Sequence, residues 1–253
     1  MGFYEICFSP TGGTKRCADI LARALAGQGS FVDLTAGTQA FDSIRLTPED
    51  LAVLAVPSYA GRVPAPAVQR LARIRGNGAR AVLLCVYGNR AFEDTLAELR
   101  DTAVQAGFQV AAAVAAIAEH SIVRIYAAGR PDGQDAAQLE HFAARIRARL
   151  EQGNCPEPAI PGNRPYKERK AIATIPRATT ACVSCGLCAG QCPVQAIPPD
   201  DPRQVDTGRC IACMRCVAVC PHQARQVDEA RVAALQQALE PVCSVRKEGE
   251  LFL

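Results

Sequence analysis

The stretch Cys182-Val-Ser-Cys185-Gly-Leu-Cys188-Ala-Gly-Gln-Cys192-Pro193 is followed, after a short spacer, by Cys210-Ile-Ala-Cys213-Met-Arg-Cys216-Val-Ala-Val-Cys220-Pro221. Each half reads C-x2-C-x2-C-x3-C-P, a run that binds [4Fe–4S] clusters two at a time. Three closely spaced thiolates can wrap one face of a small iron–sulfur cube, with backbone amides turned toward its sulfurs. The fourth Cys, followed by a turn-making Pro, points away and ligates the other cube. One cluster is therefore expected on Cys182, Cys185, Cys188 and Cys220, and the other on Cys210, Cys213, Cys216 and Cys192. Structural zinc needs neither the third Cys of each run nor the repeated Cys-Pro. Disulfides need an oxidising compartment, for which nothing else in the chain argues.

The 253 residues have room for one large domain and a small one. With 49% hydrophobic residues, 5% aromatics and no Trp, the core is to be built from Ala, Val, Leu and Ile. Lys and Arg number 28 and Asp and Glu 25, a net +3, with no strong asymmetry between the two halves. A nucleic-acid-binding surface would show a clustered basic excess, so no nucleic-acid partner is expected. No run approaches ~18 uninterrupted apolar residues, so no membrane span is expected. The residues from Gly2 to Ile6 lack a charged region followed by an apolar one. Thirteen Cys, eight of them in the two motifs, imply a reducing cytoplasm. The other five, Cys7, Cys17, Cys85, Cys155 and Cys243, read mostly as small core fillers.

Residues 3–8 form a short apolar strand, and 15–26 a helix with Ile20, Leu21, Ala24 and Leu25 on one face. Between them lies Ser9-Pro10-Thr11-Gly12-Gly13-Thr14. A strand, a turn rich in Gly and hydroxyls, and a helix N-terminus make a ready phosphate site, with Ser9, Thr11 and Thr14 as added donors. Lys15 follows Thr14, so the Walker A pattern fails, and G-x-G-x-x-G is also absent. Hydroxyls without the Walker lysine suit a terminal monoester phosphate. Alone, the loop has a second, weaker reading as an ordinary Gly-Thr turn capping a helix.

Strands follow at 30–34, 51–56, 80–86 and 110–118, with helices around 64–74 and 93–106. A last helix opens near Asp135, keeps Leu139, Phe142, Ile146 and Leu150 on one face and stops by Gly153. Alternating βα units predict a doubly wound parallel sheet with its ligand at the carboxyl ends of the strands. Three loops at those ends are distinctive: 9–14, Pro57-Ser58-Tyr59-Ala60-Gly61-Arg62 and Tyr87-Gly88-Asn89-Arg90-Ala91-Phe92. His120-Ser121, on the same edge, reads as a surface turn, and His141 as solvated. Residues 153–170 hold four prolines and the basic Arg164, Lys167, Arg169 and Lys170, and read as a solvated linker. Residues 228–239 read as a helix, and the apolar Leu251-Phe252-Leu253 as a tail that docks on a domain.

The N-terminal pattern resembles a flavodoxin, whose T/S-x-T-G-x-T phosphate loop matches Ser9–Thr14. With the cysteine motifs, the whole chain is similar to the flavodoxin–ferredoxin fusion proteins of anaerobes. Pro57–Pro64, Tyr87–Arg90 and Arg130-Pro-Asp132 look like that family's patterns. The resemblance implies an α/β fold: a flavodoxin-like five-stranded sheet, order 2-1-3-4-5, plus a small α+β ferredoxin-like domain. It divides the chain into a domain at 1–152, a linker at 153–176, a two-cluster domain at 177–227 and a helix and tail at 228–253. It implies FMN between the loops carrying Pro57, Ser58, Tyr59, Ala60 and Gly61 and those carrying Tyr87, Gly88, Asn89, Arg90 and Phe92. Phe92 stands where a flavodoxin commonly stacks Tyr, Tyr59 or Tyr87 covers the other face unless it stays open to a donor, and Asn89 bonds the ring's polar edge. Gly61 and Gly88 are the backbone positions able to rearrange beside the ring. Both tyrosines could instead pack beneath the loops.

Two clusters and FMN imply an electron-transfer protein that passes low-potential electrons on to redox partner proteins. Alternatives are an enzyme whose FMN reduces a quinone or another oxidised metabolite, and a docking module that has lost its flavin. No catalytic triad is legible, and neither oligomeric state nor direction of flow is.

Overall fold

Leu51–Pro57, Arg80–Tyr87 and Gln109–Ile117 are almost unbroken apolar runs, which only a strand covered on both faces can bury. The computed structural model, which describes residues 2–37, 39–153, 155–169 and 173–253, places these three at the centre of a sheet. In chain order the elements are β1 Phe3–Cys7, α1 Gly13–Ala26, β2 Ser30–Asp33, β3 Leu51–Pro57, α2 Ala65–Leu71, β4 Arg80–Tyr87, α3 Thr95–Gln105, β5 Gln109–Ile117 and α4 Gly133–Glu151. After them come β6 Arg177–Ala178, α5 Leu187–Gly190, α6 Arg215–Ala218, β7 Arg225–Gln226, α7 Glu229–Cys243 and β8 Glu250–Phe252.

The sheet order is β2-β1-β3-β4-β5-β8. The first five strands are parallel: Ile6 pairs with Val32 on one side and Leu54 on the other, Leu54 with Leu83, and Leu83 with Ala113. The order is the 2-1-3-4-5 expected. The sheet has six strands, however, not five. The apolar tail runs antiparallel along β5, Leu251 opposite Val114, and so covers what would otherwise be an open edge.

The strand period of two sorts the core. Ile6, Leu54 and Leu83 point to one face, under Leu71 of α2 and Leu99 of α3. Val53, Leu84 and Val114 point to the other, under Leu21 of α1 and Ile146 of α4. Cys7, Cys17 and Cys85 are wholly buried among them, Cys243 is buried with Val123, Tyr126 and Leu239, and Cys155 is half-buried, its Sγ 3.2 Å from the Arg149 carbonyl. His141 is exposed, as its register requires. No helix among the described residues is long and apolar enough to cross a membrane.

The proline-rich connection is not a solvated linker. The buried Asp94 carboxylate, at the start of α3, accepts from Asn163 N at 2.7 Å and Lys167 N at 2.8 Å. One turn on, Glu98 takes both Arg62 (2.8 Å) and Arg169 (2.9 Å), and next to it Asp101 takes Arg164 and Tyr166. Three acids on one face of a helix thus bind the segment down. Lys170 lies outside the described residues.

Arg164, with Tyr166 and Arg100 behind it, holds the Asp101 carboxyl well below the usual carboxylate range, against the opposing effect of burial. A carboxyl depressed on folding adds stability that is fully present above its ordinary value of about 3.9 and lost as pH falls toward the lower folded one. Asp101→Asn is expected to lower the melting temperature at pH 7 and to differ less from wild type as pH drops below about 4. Circular-dichroism melts across that range check it. A gap that widens on acidification would refute the assignment.

Candidate functional site

The chain leaves β1 through Phe8 and turns at Gly12, whose φ of 88° suits only a residue without Cβ. α1 then starts with no side-chain cap and no acidic residue in its first turn. Its leading amides and the positive end of its dipole are open to an anion. Ser9 is spent internally: its Oγ accepts Lys15 N at 2.9 Å, and its own N–H goes to Thr35 Oγ1 at 2.7 Å. Thr11, Gly13 and Thr14 face a cavity with about 650 Å³ of empty space at the carboxyl edge of the sheet.

Pro57, Ser58, Tyr59 and Ala60 close one side of that cavity and Tyr87, Gly88 and Arg90 another. Tyr59 and Arg62 exchange backbone bonds of 2.9 and 3.1 Å around Ala60 and Gly61, both at positive φ (52° and 82°), the geometry of a type I′ turn. At Gly61 a Cβ would also collide with Glu93.

Three expected ring contacts stand elsewhere. Phe92 lies outside the cavity wall, tilted against Tyr87 at 5.6 Å and edge-on to Phe252 at 6.5 Å, so it anchors the tail strand. Asn89 is buried, and its carboxamide is fully engaged by the tail: Nδ2 donates to the Cys243 carbonyl (2.7 Å) and the Val245 carbonyl (2.9 Å), and Oδ1 accepts from Lys247 N (3.2 Å). Gly61 and Gly12 shape the loops from behind.

His120 and Ser121, read as a plain turn, line the cavity together with Pro10, Ala118 and Glu119. Their position after β5 was the only signal. His120 Nδ1 accepts from Ile122 N (3.2 Å) and Val123 N (3.0 Å), which assigns the proton of the neutral ring to Nε2. Burial, and then Arg90, lower its pKa, so the imidazole stays neutral.

The two cysteine motifs fold alike. Positive φ recurs at Ser184 and Ala212, at Gly186 and Met214, and at Gln195 and Gln223, each pair twenty-eight residues apart. Cys192 Sγ accepts Ala196 N and Cys220 Sγ accepts Ala224 N, both at 3.3 Å. β6 pairs with β7 across the base. One cavity is ringed by Cys182, Cys185, Cys188 and Cys220, the other by Cys192, Cys210, Cys213 and Cys216, with about 330 and 350 Å³ of empty space. Each motif lends its fourth Cys to the other's cavity. No three or more His, Cys, Asp or Glu among the described residues close around the point a single ion would fill. Burial pushes Cys213 and Cys216 up to about 12, a cost that a bound metal would override, because a coordinating thiol is deprotonated outright.

The second thiol cavity lies against the first site. Arg215, in its wall, donates from Nη1 to the Pro10 carbonyl (3.1 Å) and from Nη2 to Gln191 Oε1 (2.7 Å). Arg70 joins the Leu34 carbonyl (2.6 Å) to that of Pro193. The half-buried Tyr59 has its hydroxyl inside this contact. Burial, and then the nearby Cys213, push its phenol well above the ordinary range.

Residues 181–225 match the family model of the 4Fe-4S dicluster domain. No curated protein matches the chain. Among solved structures it is similar to a Streptococcus pneumoniae TIGR4 flavodoxin (20% identity, 58% of this chain and 99% of that one, TM-score 0.41). It is similar also to flavodoxin 1 of Bacillus cereus (15%, 57% and 95%, 0.40). A short-chain flavodoxin associated with a non-canonical PDU bacterial microcompartment gives 15%, 61% and 100%, and 0.42. These scores add nothing to the assignment, which rests on strand order and on the dicluster match. The order 2-1-3-4-5 with a ligand cavity beside the β1/β3 switch point is the flavodoxin arrangement. The chain is thus an iron–sulfur protein that carries a flavodoxin-like domain. It fits a flavodoxin–ferredoxin fusion.

A Cβ at Gly88 would stand 2.7 Å from His120 Cδ2 and 2.9 Å from its Cα. Gly88→Ala is expected to cost about 1–3 kcal/mol through overpacking and to displace the imidazole. Thermal melts and the His120 ring ¹⁵N shifts check it; unchanged shifts would mean the cavity wall yields elsewhere.

Proposed function

We propose that this chain passes low-potential electrons between two [4Fe–4S] clusters and FMN, and on to redox partner proteins. The observation that carries the reading is the wall shared by the two sites, where Arg215 bonds Pro10 and Tyr59 lies beside Cys213. When bound, the clusters supply single-electron steps and FMN takes one or two electrons.

The residues present fit these groups. Thr11, Thr14 and the uncapped amides of Gly13 and Thr14 suit the monoester phosphate of FMN. Pro57, Ser58, Tyr59, Ala60, Tyr87, Gly88 and Arg90 bound the space for its ring, and Ser9, Gly12, Gly61, Asn89 and Phe92 hold those loops from behind. Cys192, Cys210, Cys213 and Cys216 hold the inner cluster. The buried Arg215 Nε has no protein partner and stands in that cavity's wall, ready for a sulfur. Cys182, Cys185, Cys188 and Cys220 hold the outer cluster, where Cys185 is exposed between Val183 and Leu187, themselves 60% and 39% exposed. A partner protein reaches the outer cluster first, and Arg215 and Tyr59 keep the inner one against the flavin.

The reading predicts about eight irons and one FMN per chain in anaerobically purified protein. Flavin absorbance and cluster EPR should titrate together. Thr14→Val should weaken FMN binding about tenfold by removing one charge-assisted hydrogen bond, with iron content unchanged. Clusters without any flavin, even when FMN is supplied, would end the flavin half of the proposal. Saturable reduction of a quinone by the cluster-reduced protein would replace the carrier with an enzyme.

A further inference from the structure

Arg225 heads the fully buried side chains by size and is 2% exposed. Its Nη2 donates to the carbonyls of Pro202 and Gln204, while Nε and Nη1 are buried with no partner. Among the described residues no carboxylate pairs with it, whereas the other deeply buried arginine, Arg130, has Asp135 at hydrogen-bond distance through two nitrogens. A guanidinium left so in an apolar interior costs several kcal/mol, and proteins retain one only where an anion answers it.

The surroundings say which anion. Arg225 lines the cavity of Cys182, Cys185, Cys188 and Cys220. Four thiolates on an iron–sulfur cube leave it a net anion whose sulfurs accept hydrogen bonds. The internal repeat adds a control: twenty-eight residues earlier the same position is Ile197, 3% exposed, in the wall of the other cavity. The motif folds with an aliphatic residue there, so packing alone does not call for arginine. Arg215 is not its counterpart, because its repeat partner is Leu187 and two of its nitrogens serve the contact with Pro10 and Gln191.

We propose that Arg225 is the built-in counter-cation of the outer cluster, donating from Nε and Nη1 to that cluster's sulfurs. It thereby holds the cluster's reduction potential above the value an aliphatic residue would give. Net charge and hydrogen bonds to sulfur are the levers that set such potentials. The inference rests on the cluster reading of the two motifs, and the test separates the two.

Arg225→Ile places in the second motif what the first already carries, and Arg225→Lys keeps the charge without the fork. Iron content and EPR-monitored potentiometric titration of the loaded full chain are compared with wild type. The expected result is full iron in both variants, with one cluster's midpoint potential shifted downward in the Ile variant and less so in the Lys variant, and the other cluster's, whose Cys210 and Cys216 also feel the Arg225 charge, shifted by less. Loss of one cluster from the Ile variant alone also supports a required charge. Full iron with wild-type potentials in the Ile variant overturns the proposal, as does equal loss of iron in both, which would make shape the requirement. Wild-type protein that takes up no iron under reconstitution would instead sink the cluster reading itself.

Discussion

Asn89 is buried at a left-handed φ of 64°, and its carboxamide is matched on all sides by the chain that returns from the iron–sulfur half. A buried amide must find partners or cost the full desolvation of each group left bare. Here every partner is backbone of residues 243–247, so the 87–92 loop keeps its shape only while the tail is in place. β8 then pairs with β5, and Phe252 closes on Phe92, which in turn rests on Tyr87. At the other end of the iron–sulfur unit, Asp94, Glu98 and Asp101 bind the entering segment to α3. A unit tied at both ends to one sheet is held where its inner thiol cavity meets the phosphate-type loop. This double tether sets the distance between the two sites.

Buried charge is placed economically in the molecule. Arg62 meets Glu98 through two bonds of 2.8 Å, and Arg130 meets Asp135. Both pairs sit where loop joins helix and bring backbone with them: Val63 N also donates to Glu98, and Asp132 N to Asp135. Such pairs add little net stability, since desolvation offsets most of the attraction, but removing either partner strands a charge. They therefore work as registers for the loops. Arg215 and Arg225 depart from this pattern, with no carboxylate partner among the described residues, and both line thiol cavities with buried nitrogens free.

Much of this was legible in the residues. Apolar runs of strand length set the parallel sheet, because a backbone buried on both faces tolerates little else. The spacing of the eight cysteines set their sorting into two groups of four, because seven residues of tightly turned backbone can present three thiols to one side only. The loop at 9–14 announced itself by glycine and hydroxyls at a helix start. In each case the signal is local: neighbours in sequence are neighbours in space.

Only the tertiary structure decided the rest. That Asn89 and Phe92 serve the tail and not the cavity depends on a strand more than 150 residues away. That His120 enters the cavity depends on how the loop after β5 folds back on Gly88. That a proline-rich connection is clamped depends on three acids lying one helical turn or less apart along α3, which a linker's own composition cannot reveal. Which thiol cavity stands beside the flavodoxin-like site is decided by Arg215 reaching Pro10 across 205 positions of chain. Two near-identical motifs look alike in sequence; long-range contact alone makes one inner and the other outer.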